Sequence, residues 1–66
     1  VLKDNIKRLR EAMNLSQYAL GRAVGVHQTM ISHIEMGYKM PSLILAKRIA
    51  DALNVSLDEL LGRETD

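Results

Sequence analysis

The chain has no cysteine, no tryptophan and no phenylalanine, a single proline, and only two tyrosines. Without cysteine, no disulfide can staple the fold and no thiolate can hold a metal. His27 and His33 stand six apart, not at the four-residue spacing that suits two metal ligands on one helix, so no metal and no cofactor are expected. No glycine-rich loop followed by lysine is present to cradle phosphates. No catalytic residues and no enzyme activity are expected from this inventory. Tyr18 and Tyr38 make a poor stacking platform for single-stranded nucleic acid. No apolar run approaches the roughly 20 residues of a membrane span, and no signal-peptide pattern opens the chain. Gly21-x-x-x-Gly25 lies in too polar a segment to pack membrane helices. The expectation is a soluble, cytoplasmic protein with no small-molecule ligand and no membrane partner.

What the sequence does hold is apolar residues at helical spacing. At 66 residues it reads as a single domain over 1–66, small enough to bury only roughly 60% of the surface its unfolded chain exposes. Every apolar stripe is therefore needed for the core. Leu2, Ile6, Leu9 and Met13 make one stripe on a first helix, about 2–13, ending near Asn14, a residue tolerated in a left-handed cap. Ser16 is placed to cap a second helix, about 17–24. A third, about 28–35, stops at Met36-Gly37. Pro41-Ser42 opens a fourth, about 42–53, with Leu43, Ala46, Ile49, Ala50 and Leu53 as its stripe and Asn54 as terminator. Ser56-Leu57-Asp58-Glu59 has the capping-box form at the head of a short fifth helix, about 57–61. No segment alternates with period two long enough for a strand. The fold class expected is all-α, five helices with short connections.

The most informative stretch is Gln17 to Met36. Leu20 and Val24 face inward on one helix, Ile31 and Ile34 on the next, and Val26 sits in the bend between them. Gly25 stands where the chain must turn sharply, and Gly21 is small where the two helices approach. Gln28, Thr29, Ser32 and His33 are left facing out. This is the pattern of a helix-turn-helix, whose second helix enters the DNA major groove.

Charge is divided along the chain. Residues 1–48 hold eight Lys/Arg against three acids, a balance of +5, whereas 49–66 hold Arg63 against five acids, a balance of −4. Such asymmetry suits one end meeting a polyanion while the other does not.

Leu-Ser-Gln (15–17), Gly-Val (25–26), Ile-Ser-x-Ile-Glu-x-Gly (31–37), Pro-Ser-Leu (41–43), Arg-Ile-Ala-x-Ala-Leu-x-Val (48–55) and Ser-Leu-Asp-Glu-Leu-Leu (56–61) together resemble the Cro/repressor-type, or XRE-family, helix-turn-helix domain. The resemblance spans nearly the whole chain. It implies a compact, lambda-repressor-like five-helix domain from a bacterium, archaeon or phage, which binds double-stranded operator DNA as a homodimer and regulates transcription, most often as a repressor. Three departures stand out. His27 occupies a position where the family often has Ser or Thr as the third helix's cap, Met36 and Ile44 are apolar where it is usually polar, and the outward third-helix residues are a neutral set where many relatives carry Arg.

The residues can also be weighed by their chemistry. A glutamine can meet adenine's amino group and ring nitrogen together, so Gln28 leads the expected base-reading set, followed by Thr29, Ser32 and His33. Gln17, in the first turn of the second helix, with His27, Tyr38 and Lys39, is expected to hold phosphates, which position the protein without reading sequence. Arg10 and Glu35 are expected to form a structural salt bridge between the first and third helices. Leu57, Leu60 and Leu61, on a helix too short to bury all three in so small a core, are the expected dimer interface. The alternative is a protein-interaction module on the same fold that does not read DNA, with Met36, Met40 and Ile44 as its apolar patch.

Overall fold

A computed structural model describes residues 2–62 and contains α1 (Leu2–Ala12), α2 (Gln17–Val24), α3 (Gln28–Glu35), α4 (Leu43–Ala52) and α5 (Leu57–Leu61), with no strand among the described residues. The helices stop where the local chemistry dictates. Asn14 and Asn54 take left-handed backbone, φ 58 and φ 60, and end α1 and α4. The α1 stripe extends one residue further than its helix, because Met13 already belongs to the turn and is exposed. Residues 42 and 53, expected inside the fourth helix, are its two caps: Ser42 accepts from the Leu45 N–H and Leu53 closes the far end. Ser16 and Ser56 act in the same way, each taking the N–H three residues on.

The buried set is Ile6 from α1, Leu20 and Val24 from α2, Ile31 and Ile34 from α3, Ile49, Ala50 and Leu53 from α4 and its cap, and Leu60 from α5. All five helices thus contribute to one core, and α2 packs chiefly on α3 and α4 while α1 packs on α3 and α5. Asn5 adds a polar tie, donating from Nδ2 to the Leu60 carbonyl at 3.2 Å and holding α5 to the start of α1.

The turn between α2 and α3 depends on two glycines for different reasons. Gly25 has φ +84 and open space around it, so its need is conformational. Gly21 lies within a helix, but a Cβ there would come 2.7 Å from the Val26 carbonyl oxygen. Its own carbonyl accepts from the N–H groups of Gly25 and Val26 at 2.8 and 2.9 Å, so the turn folds directly back onto this residue. Gly21→Ala is expected to lower stability by about 1–3 kcal/mol despite alanine's better helix propensity, because the obstructing atom is backbone and can withdraw only by opening the turn. Gly25→Ala is expected to cost about 1–2 kcal/mol through its left-handed backbone alone. Urea midpoints at unchanged slope check both, and a Gly21→Ala protein as stable as the wild type would refute the close approach.

Candidate nucleic-acid interface

The α2–turn–α3 unit presents α3 along one side of the molecule. Its inward face is fixed by Ile31 and Ile34, both essentially unexposed. On the other side Gln28 and Thr29 are exposed in the first turn, and Ser32 and His33, one turn on, are half-buried. Two outward side chains of different chemistry therefore lead the helix. His33 is held by its neighbours: its ring lies 6.0 Å from that of Tyr38 at a 52° tilt, and its carbonyl accepts from the N–H of Tyr38 at 2.8 Å. Tyr38 and Lys39 are exposed on the loop that follows. Lys3, which the sequence reading passed over, runs its stem past Gly37 and lines a shallow groove with Lys39. A lysine on an unrelated helix carried no sequence signal of that proximity.

The start of α3 is capped in an unusual way. His27 has extended backbone, φ −70 and ψ 151, and its ring Nδ1 accepts from the Thr29 N–H at 3.0 Å. An imidazole thus does what a serine or threonine hydroxyl does elsewhere in such helices. The same Nδ1 is 3.0 Å from the Thr29 hydroxyl oxygen.

The end of α3 is anchored by Glu35, whose side chain is 3% exposed against 9% for Arg10. Arg10 donates from Nε to Glu35 Oε2 at 2.6 Å and from Nη2 to Oε1 at 3.0 Å, and its Nη1 donates to the Leu15 carbonyl at 2.7 Å. This two-pronged hydrogen bonding to Glu35 raises the guanidinium above its ordinary range, against the opposing effect of burial, with the charges of Glu35 and Glu11 adding to it. A raised value means the pair's stabilisation is complete below the arginine's unfolded range and is lost only as pH rises through the folded one, so arginine titration does not weaken it near neutrality.

One expectation needs correction, and Gln17 has a protein partner as well as the phosphate role expected of it: one hydrogen of its Nε2 donates to Glu35 Oε1 at 3.1 Å, leaving the amide's second hydrogen uncommitted. Leu60 is 0% exposed and sits in the core, because α5 is tied down by Asn5 and turns this residue inward. It is not available to a partner. Leu57 and Leu61 are half-buried. The larger apolar exposure lies elsewhere, on Met36, Met40 at 80%, Leu43 at 73% and Ile44 at 68%.

A family model described as helix-turn-helix matches residues 6–60, and the chain belongs to that family, in its Cro/repressor (XRE) branch. The chain is 34% identical over 65 residues to an uncharacterized HTH-type transcriptional regulator, YgzD, of Bacillus subtilis, covering 98% of each. It is 34% identical over 62 residues to the transcriptional repressor RstR of the cryptic phage CTXphi of Vibrio cholerae, covering 94% of this chain but 55% of that protein. It is also 34% identical over 64 residues to the control protein C.SmaI of Serratia marcescens, covering 97% and 76%. Among solved structures, the P22 c2 repressor in complex with a synthetic operator superposes with a TM-score of 0.90 at 30% identity, covering 97% of both chains.

The anchor at the end of α3 is open to direct test. Arg10→Met and Glu35→Gln are each expected to lose roughly 3–5 kcal/mol, since each strands the other's buried charge, while the double variant loses less than the sum. Denaturant unfolding of the four proteins gives the coupling. Additive losses would mean that the two side chains do not act as a pair.

Proposed function

We propose that this chain is a sequence-specific, double-stranded-DNA-binding transcriptional repressor that reads the major groove with α3 as a homodimer on a near-palindromic operator. The observation that carries this reading is the α2–Gly25–α3 unit itself. Its second helix is anchored at its far end by Glu35 and leads with exposed Gln28 and Thr29. The likeness to a repressor solved on its operator supports the same use of the fold. Gln28 is the main base reader, with its amide spaced for adenine's amino group and ring nitrogen. Thr29, Ser32 and His33 extend the reading face. Tyr38 and Lys39, on the exposed loop, and the outer nitrogen of His27 hold phosphates, as does the backbone N–H cluster at the head of α2. Gln17 serves this clamp from the first turn of α2.

One α3 reads only a few base pairs, so specificity calls for a second copy with its recognition helix one DNA turn away, roughly 34–36 Å. The surface favoured for that contact is the apolar strip of Leu43, Ile44 and Leu57, which line one groove, continued by Met36, Met40 and Leu61 around a second. This strip absorbs the apolar residues that would otherwise favour an interaction module without DNA binding.

Titration against matched and scrambled duplexes tests the reading face. Gln28→Ala is expected to lose about 1–3 kcal/mol of discrimination at one base pair, whereas Lys39→Ala weakens all duplexes alike and lowers the salt slope by about one. An unchanged base preference in Gln28→Ala would remove that residue from the readout. Sedimentation of the free protein and of its complex with a two-half-site duplex tests the assembly. Ile44→Lys and Leu57→Lys are expected to leave a folded monomer and to abolish two-copy loading of the duplex. Either variant dimerising like the wild type would exclude this strip as the interface.

A further inference from the structure

The cap of α3 fixes more than the helix start. A backbone N–H can only donate, so the 3.0 Å contact from Thr29 N requires a lone pair, not a hydrogen, on His27 Nδ1. The neutral ring then carries its proton on Nε2. The Thr29 hydroxyl oxygen stands 3.0 Å from that same bare Nδ1. Two lone pairs facing each other at this distance would repel, so the hydrogen between the atoms is the hydroxyl's own, and the single lone pair of Nδ1 is shared between the Thr29 N–H and O–H. Thr29 therefore donates inward to His27, and its oxygen offers only lone pairs to the outside.

From this arrangement we propose that His27 makes Thr29 an acceptor-only reader, so that Thr29 selects bases with an exocyclic amino group, adenine or cytosine, over the keto bases guanine and thymine on the strand it contacts. In the major groove adenine N6 and cytosine N4 donate, whereas guanine O6 and N7 and thymine O4 only accept. A free threonine hydroxyl rotates to suit either kind of partner and so discriminates poorly between them. One whose hydrogen is already used does not. The residue at the cap, which touches no base, thus sets the polarity of the residue two positions on. The inference rests on α3 being the base-reading helix, although the hydrogen-bond polarity within the cap stands without DNA.

Two measurements separate these layers. Long-range proton–nitrogen NMR correlation of the imidazoles in the free wild-type protein, at mildly alkaline pH, is expected to give the Nε2–H pattern for His27, assigned by its disappearance in His27→Ser. An Nδ1–H pattern would overturn the proposal whatever the protein does on DNA. Selection of duplexes from a random pool is then run with wild type, Thr29→Val and His27→Ser. Serine keeps a good cap, so the last variant is expected to fold. One position, recognised because it loses its preference in Thr29→Val, is then probed in the selected duplex with base analogues on each strand in turn. Removing the exocyclic amino group of that pair's adenine or cytosine is expected to weaken wild-type binding about five-fold more than Thr29→Val binding, the scale of one net hydrogen bond, whereas removing the keto oxygen of its thymine or guanine partner is expected to affect the two proteins alike. In His27→Ser the difference is expected to fall below about two-fold, since the freed hydroxyl can again donate. A wild-type loss that follows the keto base instead, or an undiminished loss in His27→Ser, would overturn the selectivity while leaving base reading by α3 intact. A wild-type protein that enriches no duplex would overturn base reading itself, and the selectivity with it.

Discussion

The Arg10–Glu35 pair ties the end of α3 to α1 and, through its neighbours, to the head of α2. Both charges are almost fully removed from water, a placement tolerable only when each is matched by the other with good geometry. The guanidinium is spread over three elements: the α3 carboxylate, the Leu15 carbonyl in the α1–α2 turn, and, through Glu35, the amide of Gln17 at the head of α2. A hydrophobic pair could bury as much surface here, but it would leave the angles between these helices open to sliding. The fork of hydrogen bonds does not. It fixes where α3 ends relative to α1 and α2, and a helix of eight residues fixed at its end has little freedom at its start.

That start is governed by the opposite device. Where the far end is buried and charged, the head of α3 is exposed and closed by an imidazole nitrogen. Its two nearest turns back onto α2 are set by Gly25's left-handed backbone and by the Val26 carbonyl pressed against Gly21. The exposed Gln28 and Thr29 thus stand on a helix whose two ends are both determined, one by electrostatics in a dry site and one by backbone geometry. Neither the ion pair nor the glycine turn depends on the identity of the outward residues. The outward face of α3 is consequently free to vary without disturbing these two supports.

The sequence made the scaffold legible because its stripes, caps and glycines act locally. Leu2, Ile6 and Leu9, then Leu20 and Val24, Ile31 and Ile34, and Ala46, Ile49, Ala50 and Leu53 recur at helical spacing, Ser16, Ser42 and Ser56 stand at helix heads, and Asn14 and Asn54 at helix ends. Long-range polar contacts were harder to see. Asn5 reaching the Leu60 carbonyl spans 55 positions of sequence, and nothing in the local pattern around either residue announces it. Without that tie α5 would look too short to fold all its leucines inward, which is why Leu60 was assigned to an interface. Gln17 is a related case. Its place in the first turn of α2 is legible, but its amide's bond to a buried carboxylate is not, because Glu35 lies 18 positions away. At His27 the pattern gave the cap's position but not its chemistry, since an imidazole takes the Thr29 N–H only in one rotamer and one tautomer.

Charge sets how these pieces would share the work of binding a duplex. The net charge of +1 gives little long-range attraction, and of the positive side chains Arg10 is committed to Glu35 and Lys47 to Asp51 at 3.0 Å. On the proposed reading the cations that release counterions are those beside α3, Lys39 and Lys3, so the sequence-independent part of the affinity rests on a small number of phosphate contacts. Base contacts must then carry a larger share of the total than in a strongly basic relative. A neutral reading face with Gln28 and an oriented Thr29 suits that division, because hydrogen bonds to base edges discriminate between sequences where charge does not. The same weakness of the electrostatic part makes two-copy binding more consequential. With a modest affinity for any single half-site, linking two α3 helices through the proposed apolar strip would raise occupancy of a correctly spaced pair above that of isolated half-sites.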